Sequence, residues 1–105
     1  MTISTVARYS TLPSDRASVL ELLEPAARAT AAEAGCEYFH ALIPEDDPNT
    51  IILIEGWRNE ESLAEHRRTD HFREIILGVV VPRLADRRVI TTVAIFEQAD
   101  VPQPG

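Results

Sequence analysis

The chain has 105 residues, one cysteine and a formal net charge of −7, with 45% apolar and 26% charged residues. That is the balance of one average globular domain, neither disordered nor fibrous, and the acidic excess argues against partners that present phosphate, such as nucleic acid or an anionic membrane. Cys36 has no partner for an internal disulfide, no apolar run approaches membrane-spanning length, and MTISTVARYS lacks the charge and hydropathy profile of an export leader, so a cytoplasmic location is expected.

Residues 3–10, ISTVARYS, carry β-branched and aromatic residues at strand spacing. Pro13, Ser14 and Asp15 mark a turn and a helix start. Val19, Leu20, Leu22, Leu23, Ala26 and Ala27 then follow at helical spacing, with Pro25 inside the helix and Gly35 expected just past its end. Residues 36–43, CEYFHALI, and 50–58, TIILIEGWR, flank the turn-rich PEDDPN and read as a hairpin. Asn59 is a natural N-cap for a short helix with Glu60 and Glu61 in its first turn. Thr69 or Asp70 can cap a second helical piece bearing Phe72, Ile75, Ile76 and Val79 on one stripe, its end weakened by Gly78 and Pro82. Residues 88–97, RVITTVAIFE, form the last strand, so the domain spans 1–98 and 99–105 is a polar tail.

The order β, α, β, β, α-α, β closes as a four-stranded antiparallel α+β sheet with helices on one face. Residues 51–54 are apolar without interruption, and the last strand has apolar residues on both sides: Val89, Val93 and Ile95 opposite Ile90, Ala94 and Phe96. Apolar residues on both faces imply that both are covered, and the helices cover only one. A homodimer pairing through the sheets is therefore expected.

The fragments GC at 35–36, DDP at 46–48, E-G-W at 55–57, E-S-L at 61–63 and H-x-x-T-x-H-F at 66–72 occur in an order that resembles the antibiotic biosynthesis monooxygenase (ABM) family. The resemblance implies a ferredoxin-like fold paired into a dimeric α+β barrel, with a pocket between sheet and helices in each subunit. In polyketide-type members an asparagine stands at the position of Leu53 and a tyrosine at that of Leu63, so of those three residues only Trp57 matches. Haem-degrading members place a tryptophan at the position of His66 and the iron-binding histidine at that of Ile76, so the axial ligand is missing. The H-x-x-T-x-H-F segment is similar to that of quinol-oxidising members and of an isomerase acting on a phosphorylated sugar, and these need no metal.

Strand alternation puts Ile51, Leu53, Glu55 and Trp57 on one side, which by resemblance faces the pocket. His66, ending the short helix with a pKa near working pH, is the candidate base, aided by His71 or Glu55. Trp57 serves either as a core anchor or as a pocket wall donating to an oxyanion. Glu55 is the pocket's carboxylate or pairs with a helix arginine. Leu53, Leu63, Tyr38, His40, Arg67, Phe72 and Ile76 are candidate lining residues, and Arg67 or Arg73 could add positive charge. His71 has a simpler reading as a partner of backbone or Glu74, and Cys36 as a small buried hydrophobe. A spacing of five would set His66 and His71 about 140° apart on one continuous helix, which disfavours a two-histidine metal site. The expected activity is cofactor-independent oxidation of a small quinol- or anthrone-like aromatic by O₂. An isomerase or tautomerase using the same base, and a non-catalytic small-molecule binding protein, are the alternatives.

Overall fold

The computed structural model describes residues 2–96. Strands β1 (Ile3–Ser10), β2 (Cys36–Leu42), β3 (Thr50–Trp57) and β4 (Asp86–Val93) form one antiparallel sheet in the order β2-β3-β1-β4. Helix α1 (Arg16–Ala31) connects β1 to β2, while α2 (Glu60–Arg68), α3 (His71–Val80) and a short 3₁₀ turn at Val81–Arg83 connect β3 to β4. The α+β, ferredoxin-like arrangement is thus as expected, with the helices on one face. No helix among the described residues is long and apolar enough to cross a membrane.

Register fixes which side chains meet. On β1, Ile3, Thr5, Ala7 and Tyr9 face the helices, opposite Trp57, Glu55, Leu53 and Ile51 of β3. On the other side of β1, Thr91, Val89 and Arg87 of β4 stand opposite Thr5, Ala7 and Tyr9. Beneath the helices, Val19, Leu23 and Ala26 of α1 and Ile76 and Val80 of α3 pack on Ala7, Tyr9, Ile51 and Leu53. The i, i+4, i+7 spacing of the α1 residues puts them on one stripe, and burying each large aliphatic side chain contributes about 1.5–3 kcal/mol. A smaller cluster, Ile3, Trp57 and Leu63 with Cys36 against it, closes the other end.

Three local expectations change. The first helix stops at Ala31 with Ala32 as its cap, and Gly35 has no positive φ. Glycine is required at 35 because a Cβ there would collide with the Ser62 side chain, so its role is close approach of α2. Pro25 sits on the exposed side of α1, where water can take the place of the lost donor, and the helix runs through it. The last strand covers Asp86–Val93, beginning two residues before the expected start at 88 and ending before Ala94–Phe96, which lie outside the sheet; residue 97 of the expected strand lies outside the described residues. The expected tail at 99–105 lies outside the described residues.

The sheet's second face carries Val6, Tyr38, His40, Leu42, Ile52, Ile54 and Ile90. In a single chain Leu42 is 47% exposed and Ile90 59%. A bulge between Cys36 and Tyr38 sets this alternation on β2, and Tyr38 lies across Gly56 to hydrogen-bond Ser4.

Candidate active site

The α2–α3 junction shapes the site. Asn59 caps α2 by accepting from the Ser62 N–H (2.8 Å), and α2 ends at Thr69, whose extended backbone (φ −69°, ψ 151°) breaks the helical path. The Thr69 hydroxyl donates to the His66 carbonyl (2.7 Å) and accepts from the Phe72 N–H (3.3 Å), joining the end of one helix to the start of the next. Of the two capping candidates it is therefore Thr69 that acts, since the Asp70 side chain makes no capping bond. Helix α3 is wound with a wide π repeat, its closing N–H at Val81 reaching the Ile76 carbonyl.

Because of that break, His66 and His71 do not diverge. Both converge on Glu33, in the turn after α1: His66 Nδ1–H donates to Glu33 Oε2 at 2.6 Å, and His71 Nε2–H donates to the same oxygen at 2.9 Å. The separation of about 140° on a continuous helix does not apply, because the two residues lie on different helices. The expected His71–Glu74 pairing is replaced by His71–Glu33. Glu33 is held in turn by its own backbone, with its N–H on the Thr30 carbonyl (3.1 Å) and its carbonyl accepting from Cys36 (3.0 Å). Arg58 straps the same turn to the end of β3 through the carbonyls of Ala34 and Gly35, both at 2.9 Å. Glu33 was not visible in the sequence, where it is one acid among seventeen.

His66 is 5% exposed and wedged between rings: Trp57 at 4.5 Å centroid separation, Phe72 at 4.9 Å and His71 at 6.0 Å. Burial pulls its pKa below the usual histidine value, although its hydrogen bond to Glu33 and that residue's negative charge act to raise it. Its other nitrogen, Nε2, lies 3.6 Å from Glu55 Oε1. Glu55 is buried, and its Oε1 has no hydrogen-bond partner among the described residues. Desolvation, reinforced by the charge of Glu33, pushes its carboxyl up to about 7. Its neighbour is thus the histidine rather than a helix arginine.

Two adjoining cavities, of about 20 and 70 Å³, share Tyr9, Glu55, His66 and Phe72 as walls. Leu53 and Ile76 line the smaller; Leu63, Arg67 and Arg87 line the larger. Arg87 was not anticipated: its guanidinium carbon lies 6.0 Å over the Tyr9 ring, and its Nε is buried with no partner among the described residues. Its only sequence signal was its place two residues before Val89 on β4, and the β1–β4 register brings it to the helix-facing side.

Of the other candidates, Tyr38 and His40 stack on each other (5.9 Å) on the sheet face away from the cavities, so the structure separates them from His66. Trp57 lines neither cavity. It is fully buried behind His66, with its Nε1 unpartnered among the described residues. Arg73 is exposed and lines neither cavity, and Cys36 is half-buried with its thiol on the Tyr38 carbonyl (3.4 Å). Among the described residues, Glu33, His66 and His71 are also the group whose ligand atoms, all within 4.8 Å of one another, could hold a metal ion.

Comparison with known proteins supplies the lineage. Residues 2–76 match the family described as antibiotic biosynthesis monooxygenase. The Mycobacterium tuberculosis protein Rv0793, which carries a provisional monooxygenase name, is 30% identical over 70 residues, 67% of this chain and 68% of that protein. Its solved structure superposes with a TM-score of 0.85 at 24% identity, covering 93% of this chain and 99% of that one. A conserved protein from Methanosarcina mazei Go1 gives a TM-score of 0.82 at 25% identity, over 88% and 91% of the two chains. With the match spanning most of the chain and the fold agreeing throughout, the protein belongs to the antibiotic biosynthesis monooxygenase family.

Proposed function

We propose that this protein oxidises a small electron-rich aromatic with O₂, using His66 as the base. The observation that carries this reading is the Glu33–His66 pair, part-buried at Glu33 and buried at His66, which fixes the proton on Nδ1 and leaves Nε2 as an acceptor toward the cavities. His66, kept neutral by burial, takes a proton from an acidified O–H or ring-flanked C–H. The resulting anion is the electron donor to O₂. For a quinol, a ring carbon of the anion and O₂ combine to a hydroperoxide that loses water to leave a hydroxyquinone, as a methylene substrate would leave a carbonyl; one oxygen atom enters the product, the other departs as water, and all electrons come from the substrate.

Arg67 and Arg87 supply positive charge for the developing anion, and Glu55, largely protonated below about pH 7, does not repel it. The cavities are small beside the roughly 300–1,000 Å³ of drug-sized pockets, which favours a single-ring quinol over a tricyclic anthrone. Pairing of two chains through the open sheet face would cover Leu42 and Ile90, and we place the homodimer there, in the cytoplasm. Oxygen uptake with single-ring quinols, abolished by His66→Ala, tests the reading. Uptake that survives in this variant excludes His66 as the base.

A second reading rests on the 3.6 Å approach of His66 to Glu55. An acid and a base facing one substrate, one pKa raised and the other lowered, also suit proton shuttling in an isomerase. Turnover in oxygen-free buffer distinguishes it.

A further inference from the structure

Glu33, His66 and His71 come from three different elements, yet their donor atoms meet at one point. Glu33 Oε2 lies 2.6 Å from His66 Nδ1 and 2.9 Å from His71 Nε2, and all three atoms fall within 4.8 Å of one another. Ligand atoms about 2.1 Å from a tetrahedral zinc ion are separated by about 3.4 Å, so binding a cation needs the Glu33 oxygen to move out by less than about 1 Å and the two imidazole nitrogens, within 4.8 Å of each other, to settle near that spacing by side-chain rotation. Glu33 sits in a turn with its side chain 16% exposed, and the His71 side chain is 19% exposed, which leaves a path from solvent.

A second feature points the same way. Metal-bound histidines nearly always donate their remaining ring N–H to an outer acceptor: a carboxylate, a backbone carbonyl or water. At the far nitrogen of His66 stands Glu55 Oε1, 3.6 Å away, a buried oxygen with no hydrogen-bond partner among the described residues. When a cation takes Nδ1 of the neutral imidazole, the ring proton moves to Nε2, where Glu55 can accept it.

We propose that Glu33, His66 through Nδ1 and His71 through Nε2 form a three-ligand site for a divalent transition metal of the zinc class, with Glu55 as the outer carboxylate. Two imidazole nitrogens and one carboxylate select zinc, cobalt, nickel or copper over magnesium or calcium, which prefer all-oxygen shells. Occupancy also withdraws Nε2 of His66 as a base, so the loaded site and the oxidation proposed above exclude each other. The metal site itself does not depend on that reaction, because it is read without substrate.

The test is titration of chelator-treated protein with Zn²⁺ by calorimetry and with Co²⁺ by visible absorption. One equivalent per chain is expected, with the intense d–d bands of low-coordinate cobalt. Glu55→Gln weakens zinc about 10–100-fold, as outer-shell changes do, and Glu33→Gln or His71→Asn weakens it more. Glu74→Gln, next to the site in sequence but not a ligand, leaves the affinity unchanged. Binding well below one equivalent, or affinity unaltered in Glu33→Gln and His71→Asn, overturns the proposal. Circular dichroism establishes that each variant is folded, and if His71→Asn is not, the isosteric Glu33→Gln decides alone.

Discussion

Replacing Glu55 by glutamine probes the electrostatics at the centre of the site. The folded protein holds the Glu55 proton up to about pH 7, whereas the unfolded carboxyl releases it near 4.5. Between those values the folded state binds more protons, so this group's contribution to stability is full below pH 4.5 and declines as pH rises through 7. At about 1.4 kcal/mol per pH unit, the interval from 4.5 to about 7 corresponds to roughly 3 kcal/mol, a large part of the 5–15 kcal/mol that holds a typical domain together. Glutamine has nearly the same shape and no titration. Urea unfolding from pH 4.5 to 8.5 should therefore show Glu55→Gln near wild type at the acid end and more stable by up to roughly 3 kcal/mol at the alkaline end. His66 acts in the opposite sense: its lowered pKa costs stability as pH falls below 6.5, but it is present in both proteins and largely cancels in the difference. A wild-type minus variant difference that stays flat across this range would refute the claim that burial keeps Glu55 protonated.

Glu33→Gln removes the negative charge that supports protonation of His66, so the acid limb of the rate profile should move to lower pH, with turnover falling about 10–100-fold for a charge-assisted bond of about 1.5–3 kcal/mol; an unmoved limb argues that Glu33 only packs. Trp57→Ala should cost about 3–5 kcal/mol in chemical unfolding. Trp57→Phe, which keeps a ring against His66 and removes an Nε1–H that has no partner among the described residues, should retain turnover; its loss would return the indole to an oxyanion-binding role. Gly35→Ala should destabilise through collision with Ser62, and Ser62→Gly should restore much of the loss, whereas additive effects of the two changes would show that they do not touch. One equivalent of zinc should suppress oxygen uptake in the wild type, and chelator should restore it.

The elements themselves were legible because their signals are local. Alternation in ISTVARYS and TIILIEGW, the Asn59 cap and the hairpin at PEDDPN each depend on a few neighbouring residues, and all appear in the structure. The same alternation put Leu53, Glu55 and Trp57 on one side, and the family resemblance pointed that side toward the helices, where the structure has it. Alternation also paired Tyr38 with His40 on one face, although only the register showed that face to be the one away from the cavities. Four decisive features lay beyond any local pattern. Glu33 reaches the site because the turn after α1 is tied to β3 by Arg58; Arg87 reaches it because β4 pairs with β1 in a particular register. His71 turns toward His66 because Thr69 breaks the helix between them, and Trp57 is kept from the cavities by the imidazole packed on it. Sequence periodicity determines which side of an element a residue occupies. Where side chains from separate elements converge depends on register and helix-crossing geometry, which are set by packing of the whole chain.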